Sequence, residues 1–387
     1  MCQRGSMTIL KTNIDERKAL KAIRAYCAAN NEIACDYKKA KKVVRAYRRP
    51  AFYEVSTRCN LFCEGCYYFE SPQKSQLQDP GDSPDEWEAF FRAENQRGVS
   101  MAYFLGAEPA LEPKRLFRAR RYFPFANMGT NGTIKVDKNL PFRIGVSAWA
   151  ATDEADIKLR GAAAFRKALK NFEGDTRAII LFTVTAWNLQ DIPLIIRMCV
   201  DHGIDLTFNL YSPTETFLDR LMNNSISSQY LRESTSEDTP QLSDTQLIQA
   251  RNMIEDARVA YPETVLISPN VNKILTKIGS IYDLDEDGIA LSCGSKITGT
   301  FKYFKADKKE ATVKCTTSSI KCSECRTYSG VWASRLKPND IDIASEANFK
   351  SWLKDINMLG RIFLHDNPYY EEVSDHSTLS ISNNIVA

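Results

Sequence analysis

The 387-residue chain has no apolar run approaching the ~18–20 residues needed to cross a bilayer. Its N-terminus also lacks the compact apolar segment of a secretory signal, so the expected compartment is the cytoplasm. Charge of one sign is lacking too: 51 basic against 48 acidic side chains leave a net charge of +3. The composition therefore gives no electrostatic case for a nucleic-acid or membrane partner. Internal repeats and long low-complexity tracts are absent.

Cysteine, by contrast, is plentiful. Eleven cysteines in a reducing compartment point to metal binding or catalysis rather than to structural disulfides. Seven of them fall into two groups, Cys59–Cys66 and Cys293–Cys325. Cys199 lies in an apolar helical run and reads as core, while Cys2, Cys27 and Cys35 carry no motif.

Residues 14–47 show helical spacing through Leu20, Ile23, Tyr26 and Cys27, and end in a basic stretch that reads as a solvated face. From Ala51 the pattern turns to short apolar strands: Phe52–Ser56, Met101–Leu105, Phe125–Gly129, Arg143–Ala148, Ala178–Thr185, Asp205–Leu210 and Thr264–Ile267. Helical stretches lie between them, among them Pro84–Arg97, Asp156–Asn171 and Asp191–His202. Such alternation predicts an α/β fold with parallel strands, a barrel or an open sheet, and a site at the C-terminal strand ends. Four units are expected: a helical segment 1–49, a core domain 50–270, a cysteine-containing domain 271–345, and a C-terminal helix with a polar tail 346–387.

Cys59-Asn-Leu-Phe-Cys63-Glu-Gly-Cys66 follows the first strand. Cysteine is the usual ligand of iron–sulfur clusters. Three thiolates without a fourth leave one iron of a 4Fe–4S cubane open, whereas structural zinc wants four closed ligands. The nearest histidine in sequence is His202.

This Cys-x3-Cys-x2-Cys spacing resembles the signature of the radical S-adenosylmethionine superfamily, over about Ala51 to Ile267. The resemblance implies a partial (β/α)6 TIM-like barrel in which Cys59, Cys63 and Cys66 ligate a 4Fe–4S cluster. S-adenosylmethionine chelates the fourth iron and is reductively cleaved to a 5′-deoxyadenosyl radical, with an external flavodoxin- or ferredoxin-type protein as electron donor. Leu105-Gly106-Ala107-Glu108-Pro109 resembles the family's Gly-Gly-Glu-Pro turn, which receives the methionyl ammonium. Thr130-Asn131-Gly132 resembles its ribose-side Thr-Asn-Gly, and Ser147 with Arg160 its carboxylate contacts. Asn188 matches an adenosine contact or a loop cap. Two departures stand out: Gly65 replaces the aromatic residue before the third cysteine, leaving Tyr67 or Tyr68 to cover the adenine, and Ala107 replaces a glycine, which a negative φ would permit.

Cys293, Cys315, Cys322 and Cys325 resemble the shortened auxiliary-cluster domain, called twitch, of the related SPASM enzymes. Four thiolates would close a second 4Fe–4S cluster or a structural zinc site; both readings stand. No general base is identified. Glu54, Asn209 and Tyr211 are candidates by position. The substrate is a small polar metabolite (a sugar, nucleoside or amino-acid derivative) or a ribosomally made peptide presented by a separate leader-binding protein. A non-catalytic, metal-stabilised binding module is the reading from another class.

Overall fold

The computed structural model describes residues 15–69, 81, 83–223, 230–315 and 320–371. Cys2 and the expected polar tail, residues 374–387, lie outside the described residues. The N-terminal helical stretch is two helices, α1 (Glu16–Ala29) and α2 (Asn31–Ala46). Asn30 divides them: its extended backbone ends α1, and its side-chain oxygen accepts from Glu32 N and Ile33 N to cap α2.

Pro50 ends this segment and opens β1 (Pro50–Ser56). Five further strands follow: β2 (Met101–Gly106), β3 (Phe125–Thr130), β4 (Arg143–Ala148), β5 (Ala178–Val184) and β6 (Asp205–Leu210). The crossovers carry α3 (Pro84–Gln96), α4 (Pro113–Ala119), α5 (Asp153–Arg160), α6 (Phe165–Phe172) and α7 (Ile192–Asp201). Local signals set their ends. Ser83 and Glu86 form a capping box at α3, and Gly161, at φ 78°, stops α5 and splits the helix expected over 156–171.

All pairings in the sheet are parallel, in the order β6-β5-β4-β3-β2-β1-β7, where β7 is Lys302–Phe304. The sheet is open. One interior cavity takes lining residues from each of β1 to β6, so the sheet curls around it in the manner of an incomplete barrel. Its outer face buries Tyr53, Phe91, Phe104 and Phe123 in one aromatic core, the kind of contact that stabilises each ring by roughly 2–3 kcal/mol through area burial.

Two expectations are corrected. Thr264–Ile267 is not a strand: Val265 makes a single parallel bridge with Leu206, and the chain then turns into α10 (Pro269–Leu275), after α8 (Glu215–Met222) and α9 (Asp244–Ala260). The seventh strand, β7 (Lys302–Phe304), comes from inside the cysteine-containing segment and pairs with β1. Beyond it lie α11 (Tyr328–Ser334) and α12 (Glu346–Phe363), the latter packed on α2. Among the described residues, no helix is long and apolar enough to cross a membrane.

The cysteine segment also reaches β6. Arg326 N donates to Ser212 Oγ (2.8 Å), Tyr328 N donates to Asn209 Oδ1 (3.0 Å), and Thr214 bridges Ile320. Paired with β1 on one side and tied to β6 on the other, it spans the gap that the open sheet leaves.

Candidate functional site

The loop Cys59–Cys66 leaves the C-terminal end of β1 and is held by orphan carbonyls at the end of α5. Phe62 N donates to Arg160 O (3.1 Å) and Glu64 N to Leu159 O (2.7 Å), groups that a helix terminus leaves unsatisfied. Gly65 sits at φ 60° and donates to Tyr230 O (2.6 Å). A Cβ there would lie 2.7 Å from the Tyr211 hydroxyl and 3.1 Å from Phe217. Those two rings occupy the space that an aromatic side chain at 65 would enter.

Glu64, between two cysteines, is fully buried. Its carboxylate accepts from Arg232 N (3.0 Å), Ser234 N (3.1 Å), Ser234 Oγ (2.7 Å) and, more distantly, Glu233 N (3.4 Å). It therefore anchors the 230–234 loop beside the cysteine loop. Spacing gave no signal for this role, because the partners are 168 to 170 residues away.

Cys59, Cys63 and Cys66 line one cavity of about 410 Å3. Burial pushes the Cys59 thiol up to about 11 and the Cys66 thiol up to about 12, and neighbouring thiolates add to both. Such thiols stay protonated at neutral pH until a cation takes their charge. Leu61 N (3.4 Å) and Asn131 Nδ2 (3.8 Å) donate toward Cys59 Sγ. Among the described residues, no three His, Cys, Asp or Glu side chains converge tightly enough for a single ion. A cubane takes one thiolate per iron, so its cysteines stand wider apart than the ligands of one ion, and this loop is compatible with that spread.

The same cavity is lined by Gly106, Ala107, Glu108, Thr130, Asn131, Ser147, Arg160 and Tyr67, contributed by the ends of β2, β3 and β4, by α5 and by the cysteine loop. Gly106, at φ 136°, lets β2 approach β1 so closely that a Cβ would meet Ser56 O at 2.4 Å. Ala107 needs no such freedom and has no positive φ.

Glu108 is 1% exposed, and burial pushes its carboxyl above the ordinary range. Its oxygens accept from Ala110 N (2.9 Å), Thr130 Oγ1 (2.7 Å) and Asn131 N (2.7 Å), tying two strand-end loops together. Arg160, also 1% exposed, donates to Ser147 O (2.6 Å) and lies against the Cys63 thiol, while its Nε has no partner.

Asn188 does not line the cavity. Its amide is spent within its own loop and the next, donating to Trp149 O (2.5 Å) and Thr183 O (2.8 Å) and accepting from Thr185 N (2.7 Å), which is the loop-cap alternative. Of the candidate bases, Glu54 accepts from Tyr303 Oη (2.5 Å) and does not line the cavity, whereas Asn209, which accepts from Tyr328 N, and Tyr211 both line it.

The second cysteine group closes a separate cavity of about 40 Å3, lined by Cys293, Cys315, Cys322 and Cys325. Cys315 pairs with Lys296, Cys325 Sγ lies 3.3 Å from Thr327 Oγ1, and Tyr282 is buried against Cys293 and Cys325. Ser295, Ile320 and Thr327 line both cavities and form the wall between them.

No family model matches the chain. An uncharacterized protein of Archaeoglobus fulgidus is 28% identical over 158 residues, 38% of this chain and 38% of its own length. Among solved structures, SuiB of Streptococcus suis bound to S-adenosylmethionine gives a TM-score of 0.48 at 14% identity, covering 72% of this chain and 64% of that one. A tagged anSMEcpe with bound AdoMet gives 0.45 at 16% identity, covering 68% and 73%. The chain thus spans less than two thirds of the length of the Archaeoglobus protein and of SuiB. What it does has to be read from its own side chains.

Proposed function

We propose that the chain is a radical S-adenosylmethionine enzyme acting on a small polar substrate. One observation carries this reading: three cysteines of one loop share a cavity with Glu108, Thr130, Asn131, Ser147 and Arg160, which arrive from separate strand ends. When bound, a 4Fe–4S cluster and S-adenosylmethionine supply one-electron cleavage of the sulfonium and a 5′-deoxyadenosyl radical that takes a substrate hydrogen.

The chain's own groups bind and orient. Cys59, Cys63 and Cys66 would hold the cluster, three thiolates being one short of a full ligand set. Gly106, Ala107 and the buried Glu108 receive the methionyl ammonium, a cation suited to a carboxylate held in low dielectric. Arg160, with its unpartnered Nε beside Ser147, takes the methionyl carboxylate. Thr130 and Asn131 face the ribose, and Tyr67 covers the adenine in place of an aromatic side chain at 65. The cavity walls exclude water from these groups. Cys293, Cys315, Cys322 and Cys325 hold an auxiliary cluster, which the shared wall of Ser295, Ile320 and Thr327 separates from the substrate space.

The test is anaerobic iron and sulfide analysis with electron paramagnetic resonance, alongside 5′-deoxyadenosine formation under a strong reductant. About eight irons are expected in the wild type and about four in the Cys59→Ala/Cys63→Ala/Cys66→Ala variant, which should form no 5′-deoxyadenosine. Cleavage retained by that variant would refute the assignment. One zinc in both proteins, with about four irons in the wild type and none in the variant, would turn the C-terminal cysteines into a structural staple.

A further inference from the structure

The cavity continues below the cysteine and strand-end loops into the interior of the sheet. There Gly129 of β3 and Gly145 of β4 lie side by side in register. Glycine in a central strand weakens it and marks a place where something comes close to the backbone: at Gly145 that is the Leu181 side chain, whose Cδ1 would lie 2.7 Å from a Cβ. Gly129 is exposed although it belongs to a central strand, and a Cβ built on it meets nothing within 4 Å. The open space it faces is the cavity it lines.

The walls around this void are aromatic and carry hydroxyls. Phe52, Tyr103 and Asn127 lie in register on β1, β2 and β3. Tyr103 Oη donates to Tyr47 Oη (3.2 Å). Tyr328 stacks on Phe363 at 5.6 Å and lines the same space. Asn127, 4% exposed, has a side-chain oxygen with no hydrogen-bond partner.

Free charge is the missing element. Besides the cysteines, the charged side chains among the described lining residues are Glu108, Arg160 and Arg143. The first two belong to the loops at the strand ends. Arg143 is tied off, donating to Ile362 O (2.7 Å) and Thr176 O (2.8 Å) beside Asp205. A phosphate or carboxylate placed here would lose its water without gaining a counter-ion, a cost of several kcal/mol.

We propose, on the basis of the radical reading above, that the substrate seats an uncharged ring bearing hydroxyl groups over Gly129, beside the Leu181 side chain that covers Gly145. Its flat face packs on the aromatic walls, and its hydroxyls pair with Tyr47, Tyr103, Tyr328 and Asn127. A neutral sugar ring and a phenol share this chemistry, and phosphorylated or carboxylated forms are rejected.

The test is ligand-observed saturation-transfer NMR on the anaerobically reconstituted protein with S-adenosylmethionine. The probes are methyl β-glucoside and 4-methylphenol, each beside its charged counterpart, glucose 6-phosphate and 4-methylphenyl phosphate. At least one neutral probe should bind, and its phosphorylated partner should bind at least about tenfold more weakly. Which neutral probe binds tells the sugar from the phenol.

Gly129→Leu fills the void and should weaken the neutral probe by at least about tenfold while leaving 5′-deoxyadenosine formation within about threefold. Tyr103→Phe, which removes only a hydroxyl, should weaken it several-fold and guards against a folding failure of the leucine variant. The proposal is overturned by equal binding of a phosphorylated probe or by no binding of either neutral one. It is equally overturned if both variants leave the neutral probe unaffected, or if a folded Gly129→Leu protein loses S-adenosylmethionine cleavage. A wild type that forms no 5′-deoxyadenosine yet binds the neutral ring would sink the radical reading and leave the ring site standing.

Discussion

Gly65 stands where the pattern that this loop resembles has an aromatic residue, and the departure can be tested as a thermodynamic cycle. Replacing Gly65 by Ala forces an L-residue to φ 60°, a left-handed conformation that costs about 1–2 kcal/mol. The new methyl would also stand 2.7 Å from the Tyr211 hydroxyl and 3.1 Å from two carbons of Phe217. Relieving that overlap displaces buried rings, at about 1–3 kcal/mol. Gly65→Ala should therefore lose about 2–5 kcal/mol in urea unfolding of the reduced, metal-free protein. Tyr211→Phe removes the closest atom. If the overlap is what costs, the double variant should recover about 1 kcal/mol relative to the sum of the singles. The conformational part, which Tyr211 does not influence, should remain. Equal slopes of the unfolding curves would show that the change lies in stability rather than in the unfolded ensemble. A coupling energy indistinguishable from zero would refute the claim that Tyr211 fills the space of the missing aromatic side chain.

Glu64→Gln leaves one oxygen for the donors of the 230–234 loop and turns an amide NH2, itself a donor, toward backbone N–H groups, so it should cost about 2–3 kcal/mol. Hydrogen exchange should quicken at Ser234 while β5 stays protected. Gly106→Ala should lose at least about 2 kcal/mol, since both its φ of 136° and the 2.4 Å approach to Ser56 O oppose a methyl, whereas Ala107→Gly should change stability by less than about 1 kcal/mol. A stable Gly106→Ala protein would contradict the close approach of β1 and β2. Burial, with Arg143 and Arg177 nearby, holds the His365 imidazole below its usual range. Its contribution is therefore fully present above the unfolded value near 6.5 and is lost as pH falls through the lower folded value, with a slope of at most about 1.4 kcal/mol per pH unit. Chemical denaturation across that window should show the slope in wild type and lose it in His365→Gln.

The six strands that lead to the strand-end loops are legible in the sequence because each is a short apolar run bounded by local signals such as Ser83 or Gly161. The errors arise where tertiary contact decides. The apolar run at 264–267 looks like a strand, yet Leu206 exchanges only two hydrogen bonds with it, through Thr264 O and Leu266 N, before Pro269 starts a helix. Residues 302–304 are too short a run to be read as a strand alone; β1, some 250 residues earlier in the chain, makes them one. The same division holds for the site. Cys59, Cys63, Cys66 and Glu108 can be found by spacing because their partners are close in sequence or stand at recognisable turns. Tyr47, Tyr328 and Trp332 line the cavity only because a helix before the sheet and one after it are packed against its open side. Asn188 shows the converse, a plausible motif position whose amide is consumed by its own loop.

The C-terminal cysteines gain their meaning from where that segment is tied. β7 lengthens the sheet beside β1, the strand that delivers the first cysteine loop, and Tyr303 on β7 donates to Glu54 on β1. On the far edge, Ser212 and Asn209 hold the backbone of Arg326 and Tyr328, immediately after Cys325. A segment bolted to both edges cannot shift without disturbing the sheet, so the distance between the two cysteine cavities is set by the fold rather than by a flexible hinge. Among the described residues, Ser295, Ile320 and Thr327 line both cavities. Any group held by the four C-terminal thiols therefore stands across that shared wall from the larger cavity. That is where an electron acceptor is useful to an oxidation at the substrate, and where a purely structural staple would need no such proximity.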